Sequence, residues 1–301
     1  MNWIIFALLS PAVYAIVNFT DKYIVEKEVK DYRGLPIYTS ILSFIVGLIL
    51  WIVNGYPVLH YKDILLSALT GTFSVFSLVV YFKALAYSET SKIIVLFQLI
   101  PILILTLSVL FLHETITLIQ FIGFIIVLIS TLAVSGFTTK NIRKALNLSS
   151  AFFLILIYDL LASISAVLSK YILIDNSFLT FISYELWGIS IGGIVLFTLS
   201  SSIRQAFFNT IRCVSKRALG IMLINELIFI LAEGLRFFAI SLGPVALVSV
   251  VASTQVFYGI IYGWLLMLIA PTIFKENISK RILYNKLTAS IILLLGMWLI
   301  N

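Results

Sequence analysis

The chain has 301 residues, of which 61% are hydrophobic and 11% are charged, and its mean hydropathy is +1.14. A soluble globular domain is about 45–50% apolar and about 25% charged, so this composition excludes that class. The net charge of +7 does not indicate nucleic-acid binding, because the basic residues flank apolar segments as they do in membrane proteins.

Ten apolar segments fill almost the whole chain. A bilayer core of about 30 Å is crossed by about 20 apolar residues in a helix. The sequence therefore predicts an all-α, multi-pass membrane protein that spans the lipid bilayer of the cell. The predicted spans, in chain order, are 2–20, 35–53, 64–86, 90–112, 116–135, 149–169, 178–200, 217–241, 245–268 and 287–300.

The loops between these spans differ in charge. Fifteen of the 20 lysines and arginines lie in the loops after spans 1, 5, 7 and 9, whereas the loops after even-numbered spans hold only Lys62 and Lys170. Cytoplasmic loops of membrane proteins collect lysine and arginine. The charges therefore predict that the odd-numbered loops are cytoplasmic and that both termini lie outside.

Short matches between the two halves indicate a duplication. Residues 21–25 read DKYIV at the end of span 1, and residues 169–173 read SKYIL at the end of span 6. Residues 82–88 (FKALAYS) also match residues 237–243 (FFAISLG) with a shift of one residue. We therefore predict two five-helix halves, 1–136 and 149–301. Because five is odd, the second half crosses in the opposite sense, an inverted repeat of the kind many transporters use.

These motifs carry a resemblance to a known family. The connection of spans 3 and 4 reads YFKALAYS (81–88) and leads to Pro101, and span 4 ends at His113 and Glu114, before Gln120 and Gly123. The second half repeats the connection as AISLGPVA (239–246). In these features the chain resembles the EamA branch of the drug/metabolite transporter superfamily. The resemblance implies a ten-helix transporter of two repeats that exports amino acids or related metabolites. Its relatives usually keep both termini in the cytoplasm, the reverse of what the charges predict.

Carboxylates inside the predicted spans are the first candidates for a substrate or ion pathway, because a charge in hydrocarbon costs about 3 kcal/mol or more. Asp159 and Glu185 lie well within spans 6 and 7, and Glu226 and Glu233 share a face of span 8. Arg236 follows Glu233 by three residues, so the alternative for these two is a structural ion pair. A buried, unpaired Asp159 is a plausible proton carrier, since desolvation disfavours a charged carboxylate.

Further polar residues of the spans complete the predicted pathway. Lys83 and Lys92 flank the connection of spans 3 and 4 and either attract an anionic group or reach the headgroups. Ser249 and Ser253 either bind a ligand or bond back to their own helix. The remaining pathway candidates are Asn18, Tyr81, Gln98 and Tyr158.

Signals of an enzyme or a cofactor are absent from the sequence. His113 and Glu114 begin a zinc-helix pattern, but Thr117 stands where its second histidine would be. Two histidines and one cysteine in total make a metal centre of the usual ligands a poor fit. We therefore expect no enzymatic activity, no cofactor and no nucleic-acid partner.

The prediction from sequence is a secondary active transporter of a small polar metabolite, working by alternating access in the cytoplasmic membrane. Protonation of Asp159, Glu185 or Glu226 would couple its cycle to protons. The alternatives are a proton-independent exchanger or facilitator, a flippase of a lipid-linked substrate, and a membrane scaffold that transports nothing. The chain could act as a monomer or a homodimer.

Overall fold

A computed structural model describes residues 3–87, 97–134, 150–269 and 280–300. All regular elements in these ranges are helical. Residues Ile24–Glu28 and Ser108–Leu112 form short π-helical turns, and Tyr32–Gly34 forms a 3-10 turn. The helices are α1 (Trp3–Tyr23), α2 (Leu35–Val53), α3 (Tyr61–Tyr87), α4 (Leu99–Leu107), α5 (Leu118–Val134), α6 (Ser150–Asp175), α7 (Phe178–Leu199), α8 (Ser201–Cys213), α9 (Lys216–Leu242), α10 (Val245–Ala252), α11 (Gln255–Ile269) and α12 (Lys280–Ile300).

Seven helical segments of the described residues are long and apolar enough to cross a membrane. Their outer faces are apolar, as at Ile194 and Ile224, which are 63% and 60% exposed. The predicted all-α membrane class is therefore confirmed. Predicted spans 4, 5 and 10 fall on shorter apolar helices, Leu99–Leu112, Leu118–Leu132 and Ile291–Ile300, so ten crossings remain a prediction. The seven segments are Trp3–Glu28, Tyr32–Val53, Tyr61–Ala84, Phe152–Asp175, Phe178–Leu199, Lys216–Leu242 and Val245–Gly263.

The loop predicted between spans 7 and 8 contains a helix, α8, that the sequence analysis missed. Ser200 caps it by accepting a hydrogen bond from the Ile203 amide. Its buried residues are Ile203, Ala206, Phe207 and Thr210, which recur at helical spacing on one face. Most of its exposed residues are polar, so the helix does not register as an apolar span. Cys213, predicted to lie in a loop, is exposed at its end.

Two other boundaries differ from the predicted ones. Helix α6 continues to Asp175, so Lys170 lies inside a helix and not in a loop, because the apolar residues 171–174 extend the helix beyond the predicted end of the span. Predicted span 9 is broken by a turn at residues 253–254, which separates α10 from α11. A similar turn at residues 97–98 leads into α4.

The helices pack in pairs that join the two halves of the chain. Helix α1 packs on α9, α2 on α7, α3 on both α6 and α7, and α5 on α12. Helix α7 is among the most buried, and glycines bring it against α3. A Cβ atom at Gly71 would collide with the backbone of Glu185, and one at Gly188 would meet the Ser67 carbonyl oxygen at 2.6 Å. This close approach fixes where Glu185 lies.

Candidate functional site

An ion pair lies inside the bundle on helix α9. Arg236 donates to Glu233 Oε2 from Nη2 at 2.6 Å and from Nε at 2.9 Å. The two side chains are 20% and 15% exposed, and the guanidinium lies 4.3 Å from the centroid of the Phe237 ring. The spacing of three residues predicted this pair as an alternative to two free charges, and the structure contains the pair.

Three more polar side chains surround the ion pair. Glu185, Tyr14 and Tyr158 each interact electrostatically with both Glu233 and Arg236. We call these five residues the ion-pair cluster. Glu185 is 1% exposed and accepts a hydrogen bond from Ser74 at 3.3 Å on Oε1, while its Oε2 accepts none within the described residues. The cluster joins helices α1, α6, α7 and α9.

Asp159 lies beside the cluster on α6. It is fully buried, and neither carboxylate oxygen accepts a hydrogen bond from any part of the chain that the structure describes. Its neighbour Tyr158 packs against Phe97, with ring centroids 4.8 Å apart, and lies 6.0 Å from the ring of Tyr81. A buried carboxylate without a partner is costly when charged, which keeps Asp159 a candidate proton carrier.

A second polar group, which we call the carboxylate cluster, comprises Asp21, Thr39, Asn225 and Glu226. Thr39 donates to Glu226 Oε1 at 2.7 Å, and the Asn225 amide donates to Asp21 Oδ1 at 2.8 Å. All four line a cavity of about 10 Å³. Asp21 was not among the predicted site residues because predicted span 1 ends at residue 20, whereas α1 continues to Tyr23.

Several predicted site residues make contacts within the protein instead. Gln98 accepts a hydrogen bond from Thr131 at 2.9 Å, which links α4 to α5. Ser249 and Ser253 both donate to carbonyl oxygens of their own helix segment, at 2.7 and 2.6 Å. Asn18 accepts a long hydrogen bond of 3.5 Å from Tyr81.

A wider cavity of about 630 Å³ opens where α2 begins and α3 ends. Lys30 and Lys83 line it, and Lys83 is exposed. Arg33 also lines it but binds Asp31 at 2.6 Å, and these hydrogen bonds hold the pKa of Asp31 below its usual value. The mouth is therefore positively charged. Lys92, predicted to lie nearby, is outside the described residues.

The other end of the bundle is closed around the turn between α9 and α10. Lys170 donates to the carbonyl oxygens of Ile240 and Gly243, both at 2.8 Å. Glu114, at the end of the α4 segment, accepts a hydrogen bond of 3.0 Å from the Val245 amide. The Trp3 ring packs on Gly243, where a Cβ atom would come within 2.6 Å of it. Helix α1 has 21 residues, about 31 Å, and it separates this end from the cavity mouth.

Comparisons with known proteins agree with this architecture. Residues 1–136 match the sequence profile described as the EamA-like transporter family. The match covers the first of the two predicted halves of the chain. The family lies within the drug/metabolite transporter superfamily, so the resemblance read from the motifs is confirmed. The EamA-like match and the apolar helices together make the chain an integral, multi-pass membrane protein.

Two further similarities extend the comparison. An uncharacterized protein of Methanocaldococcus jannaschii is 29% identical over 140 residues, which cover 44% of this chain and 95% of that protein. One crystal structure of a protein aligns over 99% of this chain and 96% of its own, with a TM-score of 0.69 and 13% identity. At that identity the similarity shows a common fold alone.

Proposed function

We propose that this chain is a secondary active transporter that moves an amino acid or related metabolite across the cytoplasmic membrane by alternating access, in the direction of export. The observation that carries this proposal is the Glu233–Arg236 ion pair inside the bundle of an EamA-like chain. An amino acid carries the same two charges. Its carboxylate can take the place of Glu233 on the guanidinium, and its ammonium group can bind the released Glu233.

The packing of the helices supports an inverted repeat of two five-helix halves. In this repeat α1 corresponds to α6, and α3 corresponds to α9. The contact of α1 with α9 therefore corresponds to the contact of α6 with α3, and both are extensive. The contacts of α2 with α7 and of α5 with α12 each map onto themselves. The turns at residues 97–98 and 253–254 also fall at corresponding places. The second of these turns separates two helices, α10 and α11, and broken helices are a feature of transporter substrate sites.

The two ends of the bundle support alternating access. Lys170, Glu114 and Trp3 close one end, while the cavity of about 630 Å³ opens at the other. Rocking one half against the other would exchange the open and closed ends. By the charge distribution, the open end of this conformation faces the cytoplasm, as an exporter requires for loading.

A counterflow assay in proteoliposomes tests the proposal. Vesicles are preloaded with a mixture of unlabelled amino acids, and entry of labelled amino acids is followed. We expect entry that depends on the internal mixture and that is lost in Arg236→Gln. The matched control is Arg212→Gln, which alters an exposed arginine of α8. No entry from folded wild-type protein would contradict the proposed substrate class.

Proton coupling is tested separately with a pH gradient. We expect a gradient to change the flux, because protonation removes the cost of a charge on the buried carboxylates Asp159, Glu185 and Glu226. Each of Asp159→Asn, Glu185→Gln and Glu226→Gln is measured with and without a protonophore. If all three variants keep the pH dependence of the wild type, these carboxylates do not carry the protons.

A further inference from the structure

The carboxylate cluster contains two carboxyl groups without a basic partner. The side chains of Asp21 and Glu226 are 9% and 8% exposed, line the same cavity and interact electrostatically. Within the described residues, neither makes an ion pair with a lysine or arginine. Lys22, which follows Asp21 in the chain, pairs with Glu26 at 3.8 Å instead. When both are charged, two carboxylates that line one small cavity repel each other in a medium of low dielectric constant. A cation between them would remove that repulsion.

Oxygen atoms that accept no hydrogen bond mark where a cation would bind. Glu226 Oε2 and Asn225 Oδ1 are buried and accept no hydrogen bond from the described residues. Asn225 is 3% exposed, and its amide nitrogen is already committed to Asp21. The Thr39 hydroxyl, which donates to Glu226, still has oxygen lone pairs available. Carboxylate, amide and hydroxyl oxygens together suit a hard cation.

The size of the cavity limits the ligand to a single small ion. About 10 Å³ is room for roughly one water-sized particle, which is too little for an amino acid. Magnesium usually keeps several of its waters, and calcium takes about six to eight oxygen ligands; the four side chains of this cavity supply neither the room nor the number. We propose that Asp21, Thr39, Asn225 and Glu226 form a binding site for one small monovalent cation of the Na⁺ class.

This site deepens the proposed function, and only the coupling of the ion to flux rests on that function. Binding itself is measured on purified protein in detergent with no gradient and no substrate. Binding without counterflow would leave the cation site in place and count against the transport proposal. Counterflow without Na⁺ binding would support the transport proposal and count against the cation site.

The test measures saturable binding of radioactive Na⁺ to the purified wild type, with choline as the background cation. We expect about one ion per chain, and we expect Asp21→Asn and Glu226→Gln each to weaken binding by about tenfold or more. The matched control is Glu26→Gln, which removes a carboxylate that is 56% exposed a few residues from Asp21. It should bind Na⁺ as the wild type does.

A second measurement keeps the inference testable if the charge variants do not fold. The thermal unfolding of the wild type is compared in Na⁺ and in choline, and that of Thr39→Val likewise, since valine keeps the shape and loses the oxygen. A rise in unfolding temperature with Na⁺ that is smaller in Thr39→Val supports the site. Absence of saturable Na⁺ binding by the wild type, or binding that Asp21→Asn and Glu226→Gln leave unchanged, overturns it.

Discussion

The side chain of Lys170 holds the turn between α9 and α10 through hydrogen bonds to the main chain of that turn. Its ammonium group binds two carbonyl oxygens where α9 ends, and a cation at a helix C-terminus also interacts favourably with the helix dipole. The corresponding residue of the first half, Lys22, is 46% exposed and bonds only to Glu26 at 3.8 Å among the described contacts. The two lysines that correspond in the predicted repeat therefore make unequal contacts.

We predict that Lys170→Met lowers the free energy of unfolding by about 1.5–3 kcal/mol, the contribution of hydrogen bonds to a charged group. Lys22→Met serves as the matched control and should change it by about 0–1 kcal/mol, as expected for an exposed ion pair. Unfolding of both variants is followed in the same detergent by circular dichroism. Equal losses in the two variants would contradict the contacts described for Lys170.

The buried ion pair leads to a second prediction at this scale. Glu233→Gln leaves the Arg236 guanidinium without its charge partner, so we expect a loss of about 3–5 kcal/mol. Adding Arg236→Met removes the uncompensated charge, and the double variant should recover part of that loss. Chemical denaturation of the single and double variants measures this. If the double variant loses as much stability as the single variants Glu233→Gln and Arg236→Met lose together, the two charges do not act as a pair.

The range of a contact along the chain decided which site residues the sequence could predict. The Glu233–Arg236 pair was visible because its residues are one helical turn apart. Asn225 and Asp21 are separated by 204 positions, and Glu226 and Thr39 by 187. No local spacing rule relates such residues. Their meeting depends on how α1, α2 and α9 pack, so the carboxylate cluster needed the structure.

At the scale of helices, the contact of α3 with α7 depends on small residues. Without a hydrophobic driving force between helices in lipid, close backbone packing contributes much of the association. Gly71 of α3 and Gly188 of α7 each face the other helix's backbone. Any side chain there would push α7 outward and move Glu185 with it.

We predict that Gly71→Ala destabilises the protein by about 1–3 kcal/mol, as overpacking of a close contact does. Gly220→Ala is the matched control, because a Cβ atom at Gly220 of α9 meets nothing within 4 Å. That substitution should be neutral or should stabilise by about 0.5–1 kcal/mol. Heat unfolding of both variants in one detergent distinguishes them, and a stable Gly71→Ala would mean that the two helices are further apart than described.

The helices themselves were predictable to the degree that they are apolar all round. Spans 1, 2, 3, 6, 7 and 8 coincide with helices that can cross a membrane because lipid-facing and core-facing residues are both apolar. Helix α8 was missed because only one of its faces is apolar. The turn at residues 253–254 was missed because the residues on both sides are equally apolar. Hydropathy reports the environment of a segment and not its continuity.

At the scale of the whole molecule, labelling of a single cysteine can test the orientation of the protein in the membrane. Cys213 is the single cysteine of the chain, and it is exposed at the end of α8. The charge distribution predicts that this end is cytoplasmic. We therefore predict that a membrane-impermeant thiol reagent labels Cys213 in inverted vesicles and not in intact cells.

The matched control carries Val58→Cys in a Cys213→Ser background. Val58 is 80% exposed in the connection between α2 and α3, which the charges place on the other side. It should be labelled in intact cells. Labelling of Cys213 from outside would reverse the orientation and would agree with the habit of related transporters.

The hydrogen bond between Glu114 and the Val245 amide has a consequence for how often the molecule changes shape. It joins a residue of the first half to the start of a helix in the second, and it closes one end of the bundle. In the proposed alternating-access cycle, opening that end would break it, at a cost of about 1.5–3 kcal/mol for a bond to a charged group. Weakening this bond would raise the population of the opened state by roughly tenfold to a hundredfold. In the proposed cycle this carboxylate, together with the Lys170 contacts at the same turn, would help to set the ratio of the two conformations.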